Sequence, residues 1–322
     1  AVAVISKNAN VATGAEGAAN AGEIVDRVAA RLGVAADEVL LASTGVIGRQ
    51  YPMERIRPRL DQLGAPSLTD ARTVATAMMT TDTVPKVAAA TVGGGPARVV
   101  GLAKGVGMIE PDMATMIAVV LTDATIDSDR LDAMFRRVAD RTFNCVSIDT
   151  DTSTSDTAIV LASGAAGDVG ADELETAVEQ VCLALTKMIA IDGEGAETLI
   201  EVTVDRAADQ AQAKRVGKAI VNSPLVKTAV HGADPNWGRV AMAVGKCSGD
   251  TDIDQERVVI RFGDREVYPD RIDEAGLEEL SAYMAGDEVL IHVSLGTGSA
   301  AATVWGCDLT DGYVRINADY TT

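Results

Sequence analysis

A chain of 322 residues can form one large α/β domain or two moderate ones. Hydrophobic residues make up 47% of it but aromatics only 3%, so the core must be built from Ala, Val, Ile and Leu. The net charge of −19 argues against nucleic acid as a partner, which calls for clustered Lys and Arg, although a local basic pocket stays possible on an acidic protein. No apolar run has membrane-spanning length and nothing reads as a signal peptide, so no membrane role is expected. Cys145, Cys182, Cys247 and Cys307 are widely spaced without a CxxC, which fits reduced thiols in a cytoplasmic protein. Two histidines, His231 and His292, leave little material for a His-rich metal site or a Ser-His-Asp triad.

The chain opens with a short apolar strand, Ala1 to Ser6, followed by a polar stretch. A helix is expected near Ala21 to Leu32, with Ile24, Val25, Val28 and Leu32 on one face and Gly33 ending it. Val39 to Leu41 reads as a second strand, ending in Ser43-Thr44-Gly45. An exposed N–H beside a hydroxyl there could stabilise an oxyanion, though the tripeptide alone is an ordinary turn signal. Helices are expected at Ile56 to Leu63 and Ser67 to Met79, the second with Asp70 in its first turn. Lys86 to Val100 reads as a hairpin around Gly93-Gly94-Gly95-Pro96; it lacks the GK[ST] ending of a phosphate cradle.

The stretch from Lys104 onward organises the rest. Gly105 and Gly107 loosen the backbone, Pro111 forbids a continuous helix, and Met116 to Leu121 reads as a buried strand. Thr115 is thereby placed at the entrance of a core strand. A Thr hydroxyl is a poor nucleophile unless a base takes its proton, and an α-amino group with a pKa of about 8 can serve if the chain ends at that Thr. Read without context, Thr115 is simply the first residue of a strand.

Arg130 to Asp140 is a helix with Leu131, Met134, Phe135 and Val138 inward. Every residue from Asp149 to Asp156 is Asp, Thr or Ser. Metal binding by Asp149, Asp151 and Asp156 has the right ligand chemistry but lacks the glycine and terminal Glu of an EF-hand loop; a polar turn into the strand Thr157 to Ala162 is the alternative. The longest helix is Ala171 to Ile189. Glu194 between Gly193 and Gly195 is either a solvated loop carboxylate or one aimed at a substrate ammonium. From about Ala207 a second unit begins, with a helix at Gln210 to Val221 and another from Trp237. Strands follow at Arg257 to Phe262 and Glu266 to Tyr268, then a helix at Glu274 to Met284. Glu288 to Leu295 and Ala301 to Cys307 read as strands that pair with each other. His231, near Trp237, is read as structural. Frayed termini are common, so position alone reads the tail from Gly312 to Thr322 as disordered.

The string KGxGMIxPxMATM, with an apolar strand and Thr-Asp-Ala after it, resembles the processing site of the ornithine acetyltransferases, also called glutamate N-acetyltransferases. STGVIGRQYPM, TTDTVPK, SIDTDTSTSDT, DGEGA, NSPLVKTAVHGADPNWGR and GCDLTDGYVRIN extend the resemblance from Ser6 to Thr322. The details are closest to an actinomycete branch that includes an acetyltransferase encoded with clavulanic acid genes. The resemblance implies a layered α-β-β-α sandwich with a second, smaller α/β lobe: 1–206 catalytic, 207–322 C-terminal, with a tail returning to the site. It implies self-cleavage between Ala114 and Thr115, Thr115 as nucleophile, and Thr44 and Gly45 as oxyanion hole. It implies substrate contacts from Thr81 (ahead of Thr83), Lys104, Thr115, Glu194, Asn317 and Thr322. The aspartate-threonine string is expected to pack around the nucleophile's strand. The substrates implied are N-acetylornithine and glutamate, with no cofactor or metal and an oligomer of paired fragments. Family members carry a further segment ahead of the first strand. Asn or Ser is common in the family where this chain has Asp112, and an acid near the scissile bond could alter the cleavage rate. A hydrolase with the same nucleophile, and an inactive binding protein, stay open as alternatives.

Overall fold

The computed structural model describes residues 1–65, 69–110, 116–270 and 272–319. The fold is mixed α/β. A parallel pair, β1 (Val2–Asn8) and β2 (Leu40–Val46), begins it, joined by α1 (Gly14–Leu32). The helix begins at Gly14 rather than near Ala21, because the alanine-rich segment before the apolar stripe is itself a strong helix former. The second strand runs to Val46 and carries Ser43, Thr44 and Gly45 inside it rather than past its end. Two short helices follow, α2 (Met53–Asp61) and α3 (Ala71–Met78). Asp70 is the cap of α3, its carboxylate accepting the Arg72 N–H, and does not lie in the first turn.

A four-stranded sheet is built from β3 (Lys86–Thr91), β4 (Arg98–Lys104), β5 (Ile117–Thr125) and β6 (Thr157–Asp168), in that order. The first three strands are antiparallel and β6 runs parallel to β5, which requires the crossover through α4 (Ser128–Arg141). The expected hairpin of β3 and β4 is present. α5 (Ala171–Ile191) buries Leu174, Val178, Val181 and Leu185 along one stripe, and Val181 and Leu185 pack over Gly101 of β4.

The remaining elements are β7 (Leu199–Ala207), α6 (Gln210–Val221), α7 (Pro224–His231), α8 (Trp237–Gly245), β8 (Val259–Phe262), β9 (Arg265–Tyr268), α9 (Glu274–Met284), β10 (Glu288–Ser294), β11 (Ala300–Cys307) and α10 (Asp311–Asp319). Their strands form a five-stranded sheet in the order β11, β7, β10, β8, β9. The expected pairing of β10 with β11 is therefore corrected. β7 lies between them, parallel to β10 and antiparallel to β11. Its sequence, LIEVTVDRA, alternates buried and half-exposed residues, and its apolar positions Ile200, Val202 and Val204 supply the sheet's centre. β7 belongs to the first 206 residues almost entirely, yet both its partners come from the last 116. The tail, which its terminal position would leave frayed and the resemblance would order, forms the helix α10 as far as Asp319.

Strand register decides where chemistry can occur. Lys86 opens β3 and pairs with Ala103, Lys104 closes β4 and pairs with Ile117, and Ile117 opens β5 and pairs with Thr157. All four strands thus present one common end. The polar residues at that end come from segments far apart in sequence.

Candidate active site

Lys104 is 3% exposed, and its ammonium lies 3.3 Å from the Thr44 hydroxyl and 3.9 Å from Asp82 Oδ2. Burial pushes this ammonium below the ordinary lysine range; Asp82, Glu194 and Asp156 oppose the shift and Lys86 adds to it. Burial alone would raise the Asp82 carboxyl, but Lys104, Lys86 and the Gly105 N–H together carry it below the usual range.

Thr44 is buried on β2, next to Gly45. Gly45 has φ +125°, and a Cβ there would lie 2.3 Å from the Lys7 carbonyl carbon on the paired strand. No other residue fits that conformation and that gap. Gly45→Ala is therefore expected to part β1 from β2 and lower stability by about 2–4 kcal/mol, read as a shift in the urea midpoint.

Glu194 faces this cluster from the turn after α5. Its backbone N–H donates to the Val106 carbonyl at 2.8 Å. Its Oε1 accepts from the Thr81 hydroxyl at 3.0 Å and its Oε2 from Asn317 Nδ2 at 2.9 Å. Asn317 reaches it because α10 packs on Gly195, whose φ of +71° and missing Cβ admit the Tyr313 backbone. Thr83, the less favoured candidate, points elsewhere: its hydroxyl and N–H both bind Asp192. Geometry thus separates two threonines that the sequence leaves nearly equal. Thr81, Lys104, Thr44, Gly45, Glu194 and Asn317 are brought into one region. Ala114, Thr115 and Thr322, and Asp112 with them, lie outside the described residues. Connectivity alone puts Thr115 next to Met116, one residue before β5.

The aspartate-threonine string does pack around that strand. Asp149 accepts the N–H groups of Met108 and Ile109 at 2.7 and 2.9 Å. Asp156 Oδ1 accepts the Met116 N–H, while its Oδ2 is buried without a hydrogen-bond partner among the described residues. Burial pushes the Asp156 carboxyl up to about 7, against the opposing effects of Met116 and Lys104. Asp149, Asp151 and Asp156 do not converge as a ligand set. Among the described residues, the group with ligand atoms within 4.8 Å of one another is Glu197, His231 and Asp308. There His231 Nδ1 lies 3.1 Å from Asp308, which also accepts the N–H groups of Glu197 and Thr198 and ties β11 to the start of β7.

Because the folded carboxyl of Asp156 titrates near 7 and the free one near 3.8, the folded state holds its proton between those values. Its stabilising contribution is complete below about pH 4 and is lost as pH rises through about 7. Asp149 is raised in the same direction and Asp82 in the opposite one, so the useful quantity is a difference. Melting temperature followed from pH 4.5 to 7.5 should fall more steeply for the wild type than for Asp156→Asn. Parallel curves would refute this.

Asp82, Lys86 and Asp192 do not stand out individually in the sequence. Asp82 and Lys86 stand four apart inside the TTDTVPK string, and that spacing of opposite charges was the available signal. Lys86 is 0% exposed and bonds both aspartates.

A buried lysine beside a strand-borne Thr-Gly pair, facing a hydrogen-bonded glutamate, sets a cationic and an anionic group at one end of a sheet inside a mixed α/β fold. Comparison with known proteins specifies the family: its model, ArgJ, matches residues 1–322, and the chain belongs to the ArgJ family. It is 60% identical to the glutamate N-acetyltransferase Oat2 of Streptomyces clavuligerus, over 100% of this chain and 83% of that protein. It is 57% identical to the arginine biosynthesis bifunctional protein ArgJ 2 of a Nostoc species, with the same coverage of each. A crystal structure of the arginine biosynthesis bifunctional protein ArgJ from Bacillus halodurans is 40% identical, with a TM-score of 0.57, covering 63% of this chain and 98% of that one.

Proposed function

We infer that the protein is an acyltransferase that moves the acetyl group of N-acetylornithine to glutamate, by way of an acetyl ester on Thr115. The observation that carries this is the convergence of Lys104, Thr44 and Glu194 at the sheet end where β5, the strand following Thr115, begins. Family membership supplies the reaction class.

In this reading the bond between Ala114 and Thr115 is severed first, which frees the Thr115 α-amine. That amine takes the hydroxyl proton as Oγ attacks the acetyl carbonyl. Charge gathering on the carbonyl oxygen is met by the Thr44 hydroxyl and the Gly45 N–H. The ornithine nitrogen departs with the proton that the α-amine had taken, leaving the acetyl ester. The glutamate α-amine then attacks the ester, and Thr115 regains its proton. Lys104 pairs with the substrate α-carboxylate and Glu194 with the side-chain ammonium of ornithine; Thr81 and Asn317 hold that carboxylate in place. Thr322 is proposed as a further contact from the tail.

Residues 1–206 and 207–322 are proposed as a catalytic and a C-terminal lobe that share β7. The paired fragments are proposed to assemble as a heterotetramer. Four unpaired cysteines support a cytoplasmic setting; no helix among the described residues is long and apolar enough to cross a membrane. The names of the Streptomyces clavuligerus relatives support a role in arginine supply; a place in a clavulanic acid pathway is proposed on the resemblance alone.

Intact-mass spectrometry tests the reading directly. Two fragments meeting at Ala114 and Thr115 are expected. Incubation with N-acetylornithine should add one acetyl mass to the fragment that begins with Thr115, and glutamate should remove it as N-acetylglutamate. Release of free acetate without transfer would identify a hydrolase instead.

A further inference from the structure

Beneath the site lies a buried ionic lattice that the transfer steps leave unused. The Lys86 ammonium bonds Asp82 Oδ1 at 2.8 Å and Asp192 Oδ2 at 2.5 Å. Asp82 sits between Thr81 and Thr83, and Asp192 stands two residues before Glu194. Asp192 also holds the Thr83 N–H and hydroxyl. One cation therefore joins the segment that carries Thr81 to the turn that carries Glu194.

The same cation bears on Lys104. Asp82 is already engaged at both oxygens: Oδ1 also accepts the Gly105 N–H at 2.6 Å, and Oδ2 accepts the Thr80 N–H at 3.1 Å. Lys104 comes no nearer to it than 3.9 Å, beyond hydrogen-bonding length. Were Asp82 unclaimed, attraction in such dry surroundings would draw the two into direct contact. Lys86 thus binds Asp192 and Asp82 together, and among the described residues Lys104 is left with a neutral hydroxyl as its closest hydrogen-bonding partner.

We propose that Lys86 is a positioning residue of this site: it locks the Thr81 and Glu194 segments together and, by claiming Asp82, keeps the Lys104 ammonium available for a substrate carboxylate. The identity of that substrate rests on the acetyl-transfer reading above. Among the described residues, the charged groups that face Lys104 are Asp82, Glu194 and Asp156, which favour its cationic form, and Lys86, which disfavours it.

The test is Lys86→Gln, together with Lys86→Gln/Asp192→Asn, which removes one charge of each sign and leaves Asp82 with Lys104 as its cation. In both, Lys104 should fall into direct pairing with Asp82. KM for N-acetylornithine should then rise about tenfold or more, a change of the size expected for losing a charge-assisted contact, while kcat falls far less. The alkaline limb of kcat/KM should move to higher pH, since the repelling neighbour is gone. A purely structural Lys86 predicts no such upward movement. Circular dichroism and intact mass establish folding and chain cleavage in each variant. Calorimetric glutamate binding makes the same comparison without turnover, so failure of acetyl transfer in the wild type is distinguished from failure of Lys86 to act on Lys104. Wild-type KM and limb position in a folded variant would overturn the proposal, and so would a failure of both variants to fold, which would make Lys86 a core strut.

Discussion

Replacement of Thr115 by Ala is expected to give a single unsplit chain that neither accepts an acetyl group nor transfers one. Alanine has no hydroxyl to attack the preceding peptide, so the α-amine that should activate the nucleophile is never released. Nucleophile and base are lost in one change, and kcat should fall by on the order of 10⁴-fold or more. Denaturing electrophoresis, intact mass and initial rates report the three consequences separately. Thr115→Ser keeps a hydroxyl and should retain cleavage, which shows that the loss follows the functional group rather than the fold. Normal turnover by the alanine variant would overturn the mechanism.

The second large effect is expected at Lys104, where function and stability should move apart. Lys104→Met removes a buried ammonium whose nearest carboxylate has other partners. Asp82 keeps Lys86 and the N–H groups of Gly105 and Thr80, so no charge is orphaned. Relief of the ammonium's desolvation is set against loss of its attraction to Asp82 at 3.9 Å, so stability should change by no more than about 1 kcal/mol. The melting temperature should hold within about 2 °C. Binding is the opposite case. Truncating one member of a desolvated charge pair costs about 2–5 kcal/mol, so kcat/KM for N-acetylornithine should fall by about 10²- to 10³-fold. A variant that melts several degrees lower and binds normally would mean that Lys104 serves the fold.

The contrast between the two lysines comes from their partners and not from their burial. Lys86 and Lys104 are both nearly inaccessible, at 0% and 3%. Lys86 is in hydrogen-bonding contact with two carboxylates, whereas Lys104 rests against a hydroxyl. Retention of a poorly compensated buried cation disfavours the empty site and favours one that holds an anion. The strain of that arrangement is the kind of cost that functional sites carry.

Relations between neighbours in sequence were legible without coordinates. The inward stripes of α4 and α5, the β3–β4 hairpin and the helix Glu274–Met284 follow from local periodicity and turn chemistry, which act over a few residues. The site residues that stand within distinctive strings, such as Lys104 and Glu194, were also within reach, because their neighbours identify them. What the sequence could not settle were choices between distant partners. Thr81 and Thr83 differ by two positions, and only the arrival of Glu194 at one and Asp192 at the other distinguishes them. β7 entered between β10 and β11 although nothing local marks it as their shared neighbour. The alternation of a strand fixes which face is buried, but not which edge it meets. The ionic lattice around Lys86 likewise gathers residues 82, 86 and 192, which only sheet register and the close of α5 bring together. Local patterns therefore determined the elements and the chemical vocabulary of this protein. Tertiary structure alone decided which charges face each other, because a buried charge is defined by the partners that desolvation forces on it.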